Sequence, residues 1–158
     1  MINFQEIDKN RFRNIHNLAV NPGQEAYVTA DVEKFVHGWK DAADFDCFVI
    51  TSGGRQVGFF AVDYNHQRHS AYVPEAEGTA VLRCFFIDRR YQKQGFARQA
   101  LAHMNALLRP GVKALYLTVN FGNEPAQRVY LSENFKAVEK PYLGGASGPQ
   151  HVLMKDLS

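Results

Sequence analysis

The stretch that decides the fold runs from Thr79 to Leu108 and reads TAVLRCFFIDRRYQKQGFARQALAHMNALL. Its first part, from Ala80 to Ile87, is an apolar run of strand length that only Arg83 interrupts. Such a run is typical of a strand buried on both faces, because a half-exposed strand alternates between apolar and polar residues. The sequence therefore predicts a buried central strand at this point.

The second part of the stretch changes from strand spacing to helical spacing. Apolar residues recur three or four positions apart, at Ala97, Ala100, Leu101, Met104, Leu107 and Leu108. Polar residues occupy the other side, and Pro110-Gly111 would end the helix. The pattern predicts an amphipathic helix that packs one face against the sheet.

The loop between strand and helix, from Asp88 to Phe96, has Gly95 at its turn. Between Arg89 and Arg98 there are four basic residues and no acidic one. The first backbone amides of a helix have no intrahelical partner, and with the positive end of the helix dipole they form a site for a phosphate group. An ordinary turn with surface cations has the same features, so the shape of the loop alone does not decide between the two.

The residues of the loop are more specific than its shape. Gln92-Lys93-Gln94-Gly95-Phe96-Ala97 fits the pattern Gln/Arg-x-x-Gly-x-Gly/Ala and resembles the acetyl-CoA site of the GNAT superfamily of N-acetyltransferases. The longer string from Ile87 to Ala97 is similar to the branch that contains bacterial spermine/spermidine acetyltransferases. The chain has no Gly-x-Gly-x-x-Gly and no Gly-Lys-Ser/Thr, which disfavours a dinucleotide site and a nucleotide-binding P-loop.

This resemblance implies a fold and an activity. The fold is a single-domain α/β (α+β) GNAT fold over residues 1–158, with a mixed, mostly antiparallel central sheet and helices on both faces. The activity is direct transfer of acetyl from acetyl-CoA to a primary amine of a small molecule, such as a polyamine, in a ternary complex. Two alternatives stay open: acetylation of an amino acid or a protein N-terminus, and a non-catalytic acyl-CoA-binding or sensing domain.

The resemblance also implies which residues bind the cofactor. The end of the central strand would pair its backbone with the pantetheine arm and polarise the thioester carbonyl, and the loop would bind the pyrophosphate. A later helix with the spacing Asn-x-x-Ala-x-x-x-Tyr would contact the arm and the sulfur. The implied residues are Phe86, Ile87, Gln92, Lys93, Gln94, Gly95, Phe96, Ala97, Arg98, Asn123, Ala126 and Tyr130.

Tyr130 is the catalytic residue that the resemblance implies beside the sulfur. A phenol has a pKa of ~10 and a thiol one of ~8.5, so full proton transfer to the thiolate is uphill by roughly 2 kcal/mol. A hydrogen bond that stabilises the departing sulfur requires less free energy than proton transfer. The structural alternative is that Tyr130 only packs in the core.

The acceptor amine needs a base, because an alkyl amine with a pKa of ~10.4 is almost fully protonated at pH 7. No Asp or Glu lies between Ala80 and Ile87, so Glu77, just upstream, is the first candidate for this catalytic role. Arg83 stands where many relatives have a residue that faces the acceptor. It either binds a carboxylate of the acceptor or pairs structurally with Asp63.

The N-terminal part of the chain resembles the superfamily more loosely. There the first helices and their connection form one wall of the acceptor site, which implies Gln24 and Tyr27 as substrate-binding residues. An ordinary surface connection is the alternative. The sequence predicts a helix from Asn10 to Leu18 and a second one from Val32 to Ala43, with Asp31 as its N-cap.

The remaining elements follow from local patterns. Two apolar runs around Gly53-Gly54 predict a hairpin, and a cap residue followed by proline predicts a helix between Asn123 and Asn134. The other predicted strands are Ile2 to Ile7 at an edge, Ala114 to Val119 parallel to the central strand, and the antiparallel pair Ala137-Val138 and His151 to Met154.

Composition limits the class of protein. The 158 residues are 46% hydrophobic and carry a net charge of +2, which predicts a packed domain and is too weakly basic to indicate nucleic acid. No apolar run has membrane length, and no leader is evident, so we expect a cytoplasmic enzyme, with a homodimer among the compatible states. His66 and His69 lack further ligands, so no metal is expected. Cys47 and Cys84 lie in apolar runs and are predicted to be reduced core residues.

Overall fold

The computed structural model describes residues 1–9 and 32–158. The strands are β1 (Ile2–Glu6), β2 (Phe45–Ser52), β3 (Arg55–Asp63), β4 (Thr79–Ile87), β5 (Ala114–Asn120), β6 (Lys136–Ala137) and β7 (Gln150–Asp156). The helices are α1 (Val32–Gly38), α2 (Phe96–His103) and α3 (Glu124–Ser132), with short 3-10 helices at His66–His69, Arg89–Tyr91 and Met104–Leu107. The strands form one sheet in the order β1-β2-β3-β4-β5-β7-β6.

The strands β4 and β5 are parallel, and every other described pair of neighbours is antiparallel. They pair only between Thr79–Val81 and Ala114–Tyr116, although both strands continue well beyond these residues. A gap therefore opens in the middle of the sheet. The predicted strand–helix–strand unit with parallel neighbours is confirmed.

The strand β4 has a β-bulge beside this gap. The register with β3 shifts between Phe59 and Ala61, so that Cys84 and Phe85 together lie opposite Phe60. Cys84 has a φ of 51°, a left-handed value that is uncommon for a residue other than glycine. A bulge interrupts the regular ladder and bends the strand, so β4 departs from regular strand geometry where the sheet opens.

Helices cover both faces of the sheet. On one face, α2 and α3 contribute Leu101 and Tyr130 to the largest apolar cluster. On the other face, α1 contributes Val32 and Val36 to a cluster over β2 and β3. The fold class expected from the sequence is confirmed: a mixed, mostly antiparallel sheet between helices.

Several helix ends differ from the sequence prediction. The helix predicted to run to Ala43 ends at Gly38, because glycine disfavours helix by about 1 kcal/mol and Trp39 stacks on Phe45, with 4.1 Å between ring centroids. The central helix is α-helical to His103, and its last turn is a 3-10 helix. Asn134 adopts a φ of 72° directly after α3, as expected of a helix-ending residue. The helix predicted at Asn10 to Leu18 and the Asp31 cap lie outside the described residues.

The prediction for the two cysteines is confirmed in one part and wrong in another. Both thiols are free, and Cys47 is buried, where burial raises the pKa of its thiol to about 12. Cys84 is only partly buried. It packs against the edge of the cluster that α1 forms over β2 and β3 and is not enclosed by it, which its apolar neighbours in the sequence did not reveal.

Candidate active site

A cavity of about 510 Å³ lies between the end of β4, the start of α2 and the side of α3. Every residue that the resemblance implied for the cofactor lines this cavity except Gln94, which is exposed on the loop. The fold thus brings the residues that the resemblance selected, from three separate segments of the chain, to one cavity.

Hydrogen bonds to Asp88 and Ile87 fix the loop at the mouth of the cavity. The buried Asp88 carboxylate accepts hydrogen bonds from the backbone N–H and Nε of Arg90, at 2.9 Å and 2.8 Å. The Gln92 amide donates to the Ile87 carbonyl at 2.9 Å. Lys93 and Gly95 have positive φ values of 63° and 83°, so the chain reverses tightly before α2. These contacts hold the loop in one shape.

The N-terminus of α2 presents unpaired backbone donors to the cavity. The first intrahelical bond is from Gln99 N–H to the Gly95 carbonyl, at 3.0 Å. The amides between Gly95 and Gln99 therefore have no partner within the helix, and Gly95 has no side chain that could cap them. A Cβ at Gly95 would meet only Gln99 Nε2, at 3.8 Å, so the space before the helix is open. Lys93 and Arg98 add two cations to the lining. This set of donors and charges fits the pyrophosphate of coenzyme A.

Tyr130 lies on α3 with its ring packed against Phe85 and Phe135, at centroid distances of 6.1 Å and 5.7 Å. Burial raises the pKa of Tyr130 above its ordinary value, and nearby Cys84 raises it further. Its hydroxyl forms no hydrogen bond with a residue in the described part of the chain. The phenol is therefore a protonated donor that is free to bind a ligand atom.

A second cavity, of about 360 Å³, lies across the gap between β4 and β5. It is bounded by Phe35 of α1, Arg83 of β4, and Ala146 and Ser147 of the loop before β7. The two cavities share four lining residues at the gap: Phe85, Asn123, Ala126 and Tyr130. A ligand in one cavity can therefore touch a ligand in the other.

Arg83 projects into the second cavity beside α1. Its guanidinium carbon is 5.9 Å from the ring centroids of both Phe35 and Trp39, and the residue is partly buried. The pairing with Asp63 that the sequence left open is not formed, because other donors occupy that carboxylate.

The Asp63 carboxylate is fully buried and is the centre of a hydrogen-bond network. One oxygen accepts from Arg68 Nη1 at 2.8 Å and from the Asn65 N–H at 2.9 Å. The other contacts His69 Nε2 at 2.8 Å, and His69 Nδ1 contacts the Tyr72 hydroxyl at 2.7 Å. Burial acts to raise the pKa of Asp63, but these hydrogen bonds outweigh it and leave the pKa below its usual range. The network fastens the segment after β3 to the sheet.

The structure does not bring the candidate base to either cavity. Glu77 is exposed and precedes β4, whereas both cavities lie along the later part of that strand. Its role as a base stays a prediction from the sequence. Gln24 and Tyr27 lie outside the described residues, so their role also stays a prediction.

Polar residues that the sequence analysis did not single out line the second cavity: Thr118, Asn120, Ser147 and Gln150. The Asn120 amide donates to the Ser147 carbonyl at 3.0 Å, and this hydrogen bond holds the glycine-rich loop against the end of β5. The signal was the change to polar residues at alternate positions near the end of an otherwise apolar strand. Two adjoining cavities are the arrangement that a group transferase needs to hold a donor beside an acceptor.

The sequence profile of the acetyltransferase (GNAT) family matches residues 3–135, which is most of the chain. The chain therefore belongs to this family, and it is an acetyl-CoA-dependent acetyltransferase. No curated protein matches the chain by sequence.

Solved structures share the fold at low sequence identity. An aminoglycoside acetyltransferase, AAC(6')-Ib, in complex with coenzyme A is 12% identical with a TM-score of 0.78, and the match covers 99% of this chain and 95% of that one. An acetyltransferase from Thermus thermophilus is 22% identical with a TM-score of 0.72, covering 99% and 97%. A spermidine N-acetyltransferase SpeG chimera from Vibrio cholerae and hSSAT is 16% identical with a TM-score of 0.67, covering 98% and 95%. At these identities the likeness shows the fold and not the acceptor.

Two further kinds of feature are absent from the described residues. Across 1–9 and 32–158 there is no group of three or more His, Cys, Asp or Glu side chains arranged to hold a metal ion. No helix within those same ranges is both long enough and apolar enough to span a bilayer.

Proposed function

We propose that this protein transfers acetyl from acetyl-CoA to a primary amine of a small molecule, directly and within a ternary complex. The observation that supports direct transfer is that the two cavities meet at the gap between β4 and β5, where Tyr130 lines both. Donor and acceptor can then be in contact without a covalent acetyl-enzyme.

The donor side holds the coenzyme through main-chain and charged groups. When bound, acetyl-CoA supplies the acetyl group as a reactive thioester. The amides at the start of α2, with Lys93 and Arg98, bind the pyrophosphate. Main-chain N–H groups near the end of β4, where Phe86 and Ile87 line the first cavity, polarise the thioester carbonyl.

Tyr130 acts on the sulfur as a hydrogen-bond donor. Burial raises its pKa, so the phenol is a weaker acid than in water and proton transfer to a thiolate is further uphill. A hydrogen bond from an undissociated phenol still stabilises the developing negative charge. The proposed role is therefore charge stabilisation rather than protonation.

The acceptor side has no described carboxylate in its lining that could take the proton of the amine. The amine then enters as the neutral species or loses its proton to solvent. The rate with a simple alkyl amine should rise by about tenfold for each pH unit from pH 7 toward its pKa of ~10.4.

The same observation supports a second candidate, an acyl-CoA-binding domain that does not catalyse transfer. An amine panel separates the two: polyamines, aminoglycosides, amino acids and N-terminal peptides are incubated with acetyl-CoA, and acetylated products are measured by mass spectrometry. We expect CoA binding and acetylation of at least one amine class. Saturable CoA binding without any acetylated product would support the sensor and overturn the enzyme proposal.

A further inference from the structure

We propose that the acceptor carries a carboxylate near its amine, as an amino acid does, and that Arg83 binds this carboxylate. This inference rests on the proposed function and names the substrate class of the same site. It differs from a polyamine or aminoglycoside acceptor, whose further groups are cationic.

Arg83 is placed to meet a ligand rather than to stabilise the fold. It pairs through its backbone with Ala61 of β3 and lies one residue before the bulge, so it is next to the gap where transfer takes place. Its side chain lines the second cavity between the aromatic rings of Phe35 and Trp39. These rings limit the directions in which the guanidinium can turn.

The charge of Arg83 is not neutralised by the described residues around it. Among the β3 residues on its own face of the sheet, the acidic one is Asp63, two residues along the strand from Ala61. Asp63 already accepts hydrogen bonds from Arg68, His69 and a backbone N–H, and no ion pair joins it to Arg83. A partly buried cation that faces a cavity without a carboxylate partner favours an anionic ligand.

The rest of the described lining is neutral. Thr118, Asn120, Ser147 and Gln150 offer hydroxyl and amide groups, and no Asp or Glu is among the described lining residues. A polyamine would bring a second cation toward Arg83, whereas a carboxylate matches the planar, forked donors of a guanidinium. The lining therefore selects for an amine with an attached acid.

The test compares L-amino acids with their carboxamides, which keep the amine and side chain but lose the negative charge. We expect the wild-type protein to have a kcat/KM at least tenfold higher for the acid than for the amide of the preferred residue. Arg83→Gln should remove this preference by raising KM for the acid at least tenfold, with a much smaller change in KM for the amide and no loss of affinity for CoA. Titration of the N-acetylated acid into the CoA-bound protein should show the same loss of affinity without any turnover.

Arg68→Gln is the matched control, because Arg68 also lies against Trp39, at 5.1 Å, but pairs with acidic side chains and does not line the cavity. It should leave the acid-over-amide preference unchanged. Equal rates for acid and amide, a preference for spermidine, or an equal loss for both ligands in Arg83→Gln would overturn the inference and leave the acetyltransferase in place. CoA binding with no acetylation of any amine would instead overturn the proposed function.

Discussion

Replacing Tyr130 with phenylalanine tests the chemistry of the gap between β4 and β5 at a single atom. The hydroxyl has no partner among the described residues, so the variant loses no known hydrogen bond of the folded state and keeps the ring contacts with Phe85 and Phe135. Its stability should change by less than about 1 kcal/mol, or about 3 °C in the melting temperature for a chain of this length.

The effect on turnover should be much larger than the effect on stability. A hydrogen bond to a charged group contributes about 1.5–3 kcal/mol, and the sulfur carries that charge only as it departs. Since about 1.4 kcal/mol corresponds to a factor of ten, kcat should fall by about 10- to 150-fold, with the Kd for CoA within about twofold of the wild type.

The assay follows release of the CoA thiol with a chromogenic thiol reagent at saturating acetyl-CoA, using the best acceptor of the amine panel. Binding of CoA is measured by calorimetry and stability by circular dichroism. Tyr116→Phe is the control, because it removes an identical hydroxyl from a buried tyrosine that lines neither cavity. An undiminished kcat in Tyr130→Phe, or an equal fall in the control, would refute the role at the sulfur.

Four other changes test separate parts of the structure. Gly95→Val should weaken CoA binding at least tenfold in calorimetry. A φ of 83° strains a branched residue by about 1–2 kcal/mol, and the valine side chain would enter the anion site. An unchanged affinity for CoA would contradict the assignment of the anion site to this turn. Asp63→Asn should lose roughly 3 kcal/mol in urea unfolding at pH 7. Because the pKa of Asp63 is lowered in the folded state, its stabilisation is complete above the unfolded pKa of ~3.9 and is lost as the pH falls through the lower folded pKa, so the deficit should shrink over that range. A constant deficit would exclude an ionised carboxylate. Glu77→Gln should leave kcat unchanged at pH 7, since the residue is exposed away from the cavities, whereas a base would cost about 100-fold or more. Iodoacetamide should alkylate Cys84 before Cys47, as measured by peptide mass mapping, because Cys84 is the less buried thiol. Preferential labelling of Cys47 would contradict their relative burial.

The part of the fold that sequence could predict is the part that local rules determine. The strand, the glycine turn and the helix between Thr79 and Leu108 each follow from spacing within a few residues, and Gly95 marks the turn because its positive φ favours glycine. The residues that line the first cavity were predicted from a pattern of side chains and small residues. Contacts between distant segments were not needed for that step.

The features that sequence could not predict depend on distant contacts. The bulge falls on Cys84, which has none of the glycine or asparagine character that usually accompanies a left-handed φ. The early end of α1 depends on Trp39 stacking against Phe45, a residue of the neighbouring strand. The second cavity depends on the hydrogen bond between Asn120 and Ser147, which lie 27 positions apart. The spacing of residue types along the chain carries no information on such contacts between distant residues.

The opening between β4 and β5 also bears on the order in which ligands come and go. In the proposed function the coenzyme lies beside α2 and the amine beside α1, with α3 between them, so each ligand has its own route to the point of contact. CoA can therefore dissociate before or after the acetylated product, and bound CoA does not prevent the next amine from binding. Free CoA should accordingly compete with acetyl-CoA and not with the amine in inhibition kinetics.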